Sequence, residues 1–265
     1  MNRGERIKLD LFTPVKSEFN PNIVVTGPGI KSTDVLPEGV EIPEGMGFII
    51  IESKLGEAEY EPFTPASYYY LSDAIIPVTE TGTYYVGVFD FDNEGKYGLA
   101  IGYVEKFSIS EWIGIPISVT RIRIWEGQNL LVVLAPLFFT VIIGLIALYM
   151  NQKTKNNLKT LFGFLMSFAG LLYIGSGISV FYQMINAFTK AFSESALITA
   201  VFASIPIVLG ITIFGYTSKV GPRTVQTKLS LLLLSGLGLI FWAGMILGPA
   251  VVIISAMLPS KKINL

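Results

Sequence analysis

The sequence has no cysteine and no histidine, and only 15% of its 265 residues are charged. These absences exclude the common zinc sites, disulfides, thiol chemistry, haem ligation and Ser-His-Asp catalysis, so no cofactor is expected. A soluble globular domain carries about 25% charged residues, and this chain has too few to cover itself against water. With 51% hydrophobic residues, the composition predicts a membrane protein.

The acidic and basic residues are divided unequally along the chain. Residues 1–128 hold 10 Lys and Arg against 19 Asp and Glu, whereas residues 129–265 hold 9 basic residues and a single acid, Glu194. This division predicts two domains in different environments. Because an acidic domain repels phosphate, nucleic acid is not expected as a partner.

The basic half contains four long stretches without charge. Each exceeds the roughly 20 residues that a helix needs to cross about 30 Å of hydrocarbon. We therefore predict a membrane α + β protein, whose residues 129–265 form a four-helix transmembrane bundle. The expected helices lie at about 129–150, 161–185, 196–216 and 229–258.

The lysine-rich loops 151–160 and 217–228 set the expected orientation, because short cytoplasmic loops carry an excess of Lys and Arg. The loop between them has only Lys190, which Glu194 offsets. The prediction is a multi-pass protein of the cell membrane whose N-terminal domain is extracytoplasmic.

The end of the fourth stretch conflicts with this orientation. A fourth crossing would place Lys261 and Lys262 outside, against the positive-inside rule. The Gly248-Pro249 pair in that stretch offers two alternatives, a kink or a re-entrant end, either of which would change the side of the tail.

Residues 1–106 are predicted to form short strands separated by turns. Ile7, Leu9 and Leu11 alternate with charged residues, which is the period-two pattern of a half-buried strand. Several short strands with Gly- and Pro-rich turns between them predict an antiparallel β-sandwich. The further expected strands lie at 22–26, 47–52, 67–71, 83–90 and 96–103.

Three segments of this domain, at 4–11, 82–88 and 95–99, resemble strands of pre-peptidase C-terminal (PPC-like) β-sandwiches. The layout also resembles archaeal and bacterial membrane proteins that carry such an outer domain before transmembrane helices, a group without an assigned activity. The resemblance implies a fold and a placement but no chemistry. In such sandwiches one or more strands precede the first matched one, and residues 1–30 lack an apolar signal region. We therefore expect that the native start lies upstream, with a signal peptide and a first strand, so that the sandwich has one open edge.

The connector at 107–128 carries two tryptophans, Trp112 and Trp125, and two arginines, Arg121 and Arg123. Indole rings prefer the membrane interface, and arginines there can hold lipid phosphates. Because Pro116 is expected to interrupt a continuous helix, we favour an interfacial segment. The alternative is a plain linker into the first span, with the tryptophans as ordinary interface anchors.

A candidate metal site lies at Asp90 and Asp92, where oxygen-bearing residues and Gly95 follow the spacing of a calcium loop. Position 12 of that loop is Ile101 instead of glutamate, so a calcium site is weak. A hairpin turn with Gly95 at positive φ is the favoured interpretation.

Aromatic residues after the acidic loop at 52–61 form the candidate binding surface of the outer domain. The surface would comprise Phe63, Tyr68 and Tyr70, since clustered Tyr residues often form interfaces. Alternation places Tyr69 on the opposite face, so at least one ring of this run is expected in the core. Core packing beside a solvated loop is the alternative for the whole cluster.

Within the four stretches there is no ionisable Asp, Glu, Lys, Arg or His, whereas proton relays and ion pathways usually use such residues. Small residues four apart allow helices to approach closely, and we expect them to pack the bundle. The pairs are Gly163/Ser167, Ala200/Ser204 and Gly244/Gly248.

The predicted function is non-enzymatic. The membrane domain would anchor the sandwich outside the cytoplasm for binding a ligand or protein partner, with an oligomer or larger membrane complex as an open alternative. The first competing function is a subunit of a transporter or channel. The second is a membrane enzyme acting on lipid or glycan, whose catalysts would have to be carboxylates or hydroxyls.

Overall fold

A computed structural model describes residues 1–32, 35–217 and 224–258. The chain divides into two compact units, which are treated separately. The strand unit comprises Met1–Tyr60, Ser67–Lys106 and Lys190–Phe192, and the helical unit comprises Glu61–Ala66, Phe107–Thr189 and the chain from Ser193 onward.

The strands of the strand unit form two small antiparallel sheets, as the sequence predicts. One sheet has the order β4-β5-β1-β7 and the other the order β3-β2-β6. The alternating Ile7, Leu9 and Leu11 of β1 are buried in one hydrophobic cluster with Ile23 and Val25 of β2. The strands are β1 Arg6–Pro14, β2 Asn22–Gly27, β3 Gly47–Ile51, β4 Glu59–Glu61, β5 Ala66–Pro77, β6 Tyr85–Phe89 and β7 Gly98–Ile101.

The segment 90–97 does not form the predicted hairpin turn. Because β6 and β7 belong to different sheets, this segment crosses between sheets and is not a hairpin turn. Gly95 does not adopt a positive φ either. A Cβ at Gly95 would overlap Phe19, so glycine is needed there for close packing and not for turn geometry.

Seven helices follow in the described part of the chain, and three of them, α2, α4 and α5, are long and apolar enough to cross a membrane. Helix α4 is the central one, because it packs against α2, α5 and α7 and two thirds of its most apolar window is buried. The helices are α1 Ile109–Trp125, α2 Leu130–Met150, α3 Gln152–Leu158, α4 Leu161–Phe188, α5 Ala196–Thr217, α6 Val225–Ile240 and α7 Leu247–Met257.

The prediction of one helix over 229–258 is wrong, because that stretch forms α6 and α7 with a non-helical connection at 241–246. Trp242, Gly244 and Met245 have φ angles of 49°, 67° and 57°. A residue in the left-handed region cannot continue a right-handed helix. Both helices are therefore shorter than the three candidate spans.

Helices α4 and α5 approach each other closely at small residues that are seven apart on each helix. A Cβ at Gly177 would lie 2.5 Å from the Ala203 carbonyl oxygen, and a Cβ at Gly210 would lie 2.6 Å from the Gly170 carbonyl oxygen. These two pairings run in opposite directions along the helices, so α4 and α5 are antiparallel.

The predicted basic loops are described only in part. Lys153, Lys155 and Lys159 lie in or directly after α3. Lys228, predicted in the second loop, lies in the first turn of α6. Lys219, Arg223, Lys261 and Lys262 lie outside the described residues.

Candidate functional site

Helix α1 is continuous through Pro116, which contradicts the expectation that this proline interrupts it. Ser108 begins the helix with a capping box, in which its hydroxyl accepts the Glu111 N–H and its own N–H donates to the Glu111 carboxylate. The cap satisfies two otherwise free N–H groups at the helix start. A proline within a helix leaves the carbonyl four residues earlier without its partner, and here that carbonyl belongs to Trp112.

Trp242, in the connection between α6 and α7, supplies the hydrogen-bond donor for the carbonyl that Pro116 leaves without a partner. Its indole Nε1–H donates to the Trp112 carbonyl oxygen over 2.9 Å. The two indole rings also pack with their centroids 4.6 Å apart. This contact fixes the first turn of α1 to the α6–α7 connection.

The other end of α1 carries a buried polar network that the sequence analysis missed. Arg123, predicted to hold lipid phosphate, is only 2% exposed, and its Nη1 lies 3.1 Å from both carboxylate oxygens of Glu126. Gln128 donates to Glu126 and exchanges two hydrogen bonds of 3.0 Å with Gln183 of α4. A buried charge requires a paired counter-charge, and Glu126 supplies it. The predicted contact of Arg123 with lipid phosphate is therefore replaced by an ion pair inside the protein.

The remaining predicted interface residues differ in exposure. Arg121 is exposed, Trp112 is 37% exposed and Trp125 is partly buried. Of the two arginines, only Arg121 is exposed at the protein surface. It continues an exposed row of isoleucines spaced four apart, which comprises Ile109, Ile113 and Ile117.

The α6–α7 connection is held against the middle of α4. The Ser176 hydroxyl accepts the Gly244 N–H over 2.7 Å and donates to the Tyr173 carbonyl over 2.8 Å. The Tyr173 ring is fully buried, and a Cβ at either Gly244 or Gly248 would come within 3.0 Å of it. These two predicted packing glycines therefore make room for one aromatic ring of α4.

The other predicted packing residues lie in different surroundings. Ser167 is buried in α4, while Gly163 lies against the Asn157 carbonyl at the start of that helix. Ser204 is exposed and donates to the Ala200 carbonyl of its own helix. Ser204 therefore does not pack where α5 approaches α4, while Ala200 is partly buried.

The predicted binding surface of the outer domain is divided between the two units. Tyr68 and Tyr70 lie on one face of β5, where both rings pack on Phe12 of β1 at centroid distances of 5.1 and 5.7 Å. Tyr68 is buried and Tyr70 is 37% exposed, whereas Tyr69 joins the hydrophobic core. Phe63 belongs to the helical unit, where its ring packs against Phe202.

The same face of that sheet carries a group of charges. The Lys8 ammonium lies 3.5 Å from Asp10 and 3.9 Å from Asp73. We call Phe12, Tyr68 and Tyr70 the aromatic cluster; it and these three charged residues are the candidate functional surface of the strand unit.

The Asp90 side chain forms hydrogen bonds with the backbone that follows it. Its Oδ1 accepts the N–H groups of Asp92 and Asn93 over 2.9 and 3.2 Å, which is an Asx turn. Within the described residues there is no group of three or more acidic side chains that could hold a metal ion.

The capping box of α1 yields a prediction about Glu111. Hydrogen bonds from the Ser108 hydroxyl and N–H lower the pKa of the Glu111 carboxyl below its usual value. We expect Ser108→Ala to raise that pKa toward the usual value, as measured by carbon-detected NMR titration in detergent. The linked stabilisation is present above the unfolded pKa and is lost as the pH falls through the lowered one. An unchanged Glu111 pKa in the variant would contradict the cap.

The chain matches no protein-family model, and no curated protein or solved structure is significantly similar to it. Among the described residues of the helical unit, the Trp242–Trp112 and Gly244–Ser176 hydrogen bonds and the network of Arg123, Glu126, Gln128 and Gln183 hold α1 and the α6–α7 connection in place.

Proposed function

We propose that this chain is an integral membrane protein that presents the strand unit outside the cytoplasm, where it binds a ligand or protein partner without catalysing a reaction. Three apolar helices support the membrane part, and the lysine-rich loops support the orientation. We propose that the two sheets, which share one core, form a PPC-like β-sandwich. The three segments that resemble that family overlap or adjoin β1, β6 and β7.

We propose that α1 is an interfacial helix on the outer side, tilted so that its first turn reaches down to the α6–α7 connection. Its exposed isoleucine row suits contact with lipid tails, and the exposed Arg121 suits contact with a lipid phosphate. The contact of Trp112 with Trp242 at its start and the hydrogen bonds of Gln128 with Gln183 just after its end support a fixed position of α1 instead of a free linker.

The observation that carries the binding role is the aromatic cluster beside the Lys8, Asp10 and Asp73 charges. A tyrosine that is half exposed on a rigid sheet offers a large contact area at little cost in conformational entropy, and tyrosines dominate many interfaces. Tyr70 is the accessible member of the cluster.

Replacing Tyr70 with alanine is expected to weaken the binding of a captured partner at least tenfold, since loss of one central aromatic side chain costs about 2 kcal/mol. The partner would be recovered with wild-type protein in mild detergent and its affinity then measured for each variant. Tyr85→Ala is the matched control, because Tyr85 is 49% exposed on the other sheet. Equal affinity of both variants and wild type would contradict the proposed surface.

A second candidate function is a subunit of a transporter or channel, and the break between α6 and α7 favours it. Non-helical backbone at membrane depth occurs in re-entrant segments and in the broken helices of transporters, where it often lines a transport site. Reconstitution into liposomes separates the two functions, because the binding role predicts no solute or ion flux from the purified protein, whereas robust flux would overturn it.

A further inference from the structure

We infer that α6 and α7 form a re-entrant hairpin, which enters the membrane from the side of Lys153–Lys159 and returns to the same side. The inference rests on the membrane-spanning part of the proposed function but not on which side faces the cytoplasm. It replaces a fourth crossing with a hairpin that ends inside the bilayer.

The two helices lie side by side. They pack against each other, and the Ser235 hydroxyl of α6 donates to the Pro249 carbonyl of α7 over 3.1 Å. Only six residues, 241–246, connect them. Two helices that pack directly after so short a connection must run in opposite directions.

The connection lies at the depth of the bundle interior. Gly244 donates to Ser176, which stands fifteen residues after Leu161 and twelve before Phe188. At 1.5 Å per residue these separations are about 22 Å and 18 Å along α4. The turn therefore contacts the middle of a helix that is long enough to span, and not one of its ends.

The backbone of the connection is adapted to such a position. Irregular backbone at membrane depth is tolerated only where protein buries it and satisfies its polar groups. Ala243 is completely buried, and its N–H donates to the Gly238 carbonyl over 2.8 Å. The Gly244 N–H has Ser176 as its acceptor, and the Trp242 indole has a carbonyl acceptor as well.

The side of entry follows from the order of the helices. Helix α4 begins just after Lys159, and the antiparallel α5 brings Thr217 back to that end of the unit. Helix α6 begins at Val225, and its Leu231 shares a buried cluster with Phe162 and Met166 from the first turns of α4. Because α7 runs opposite to α6, it returns toward that end, and its Ala256 belongs to the same buried cluster as Leu231. A hairpin also removes the charge conflict that a fourth crossing creates.

The distance between the two ends of the hairpin tests its shape. The natural chain has no cysteine, so Val225→Cys/Met257→Cys can carry two spin labels without further changes, and both positions are at least 76% exposed. We expect a label separation below about 25 Å, whereas one continuous helix over these 32 steps would give about 48 Å. A label separation near 48 Å would overturn the hairpin. The distance can be measured in detergent, and it does not depend on the orientation of the protein in the membrane.

Labelling from one side of the membrane tests the topology. Single cysteines at Val225, Met257, Lys153 and Thr189 would be exposed to an impermeant maleimide in sealed vesicles, with lysed vesicles as the reference. We expect Val225→Cys and Met257→Cys to match Lys153→Cys and to differ from Thr189→Cys. Met257→Cys following Thr189→Cys instead would show a fourth crossing and would overturn the inference, while leaving the binding role of the strand unit untouched.

Discussion

Replacing Glu126 with glutamine is expected to destabilise the helical unit by about 3 kcal/mol, because it leaves the buried Arg123 guanidinium without a counter-charge. The side chains of Arg123 and Glu126 are only 3% and 9% exposed, so water cannot replace the lost partner. The loss would be measured as a shift of the unfolding midpoint in a detergent titration.

Arg121→Gln is the matched control for this prediction, since it removes an exposed charge from the same helix and should change stability by less than about 0.5 kcal/mol. The double variant R123M/E126L removes both charges together and should recover most of the loss. Equal stability of Glu126→Gln and wild type would show that the pair is not buried in the membrane-embedded protein.

Gly177→Val is expected to destabilise the helical unit by about 3 kcal/mol, because overpacking a close helix contact forces the backbones apart. The new Cβ would lie 2.5 Å from the Ala203 carbonyl oxygen and 2.6 Å from Ile207 Cγ1. The carbonyl belongs to the backbone of α5, so the strain cannot be relieved by a rotamer change. Detergent unfolding followed by circular dichroism would measure the loss.

Gly215→Val controls for the intrinsic effect of replacing a helical glycine by valine. A Cβ at Gly215 meets nothing within 4 Å, so its stability should remain near that of wild type. If both variants lost the same stability, the effect would come from helix propensity and not from the α4–α5 contact.

The strand unit could be predicted largely from its sequence because alternation directly reports a sheet with one buried face. Ile7, Leu9 and Leu11 are buried as their spacing indicates. Strand β4 was not predicted, since Glu59–Glu61 is too short to show a period. Local patterns do not report which distant strands pair, so the sequence predicts a hairpin at 90–97 although this segment crosses between the sheets.

The helical unit shows what an apolar run does and does not specify. Absence of charge identified α2, α4 and α5, but it is insensitive to a break such as the one at Trp242–Met245, where backbone angles and not composition end the helix. Spacing by four missed the approach of α4 to α5, since the residues that meet there are seven apart. The Arg123–Glu126 spacing and the lone Gln183 in an apolar span were the available signals of the buried network.

Cleavage by protease in intact cells would establish on which side of the membrane the strand unit lies. One variant would carry an inserted protease site after Gly56, in an exposed segment of the strand unit, and a second would carry it in the Lys153–Asn157 segment. We expect protease added outside to cleave the first variant and to spare the second until the cells are lysed. Cleavage of the second variant alone would contradict the proposed orientation.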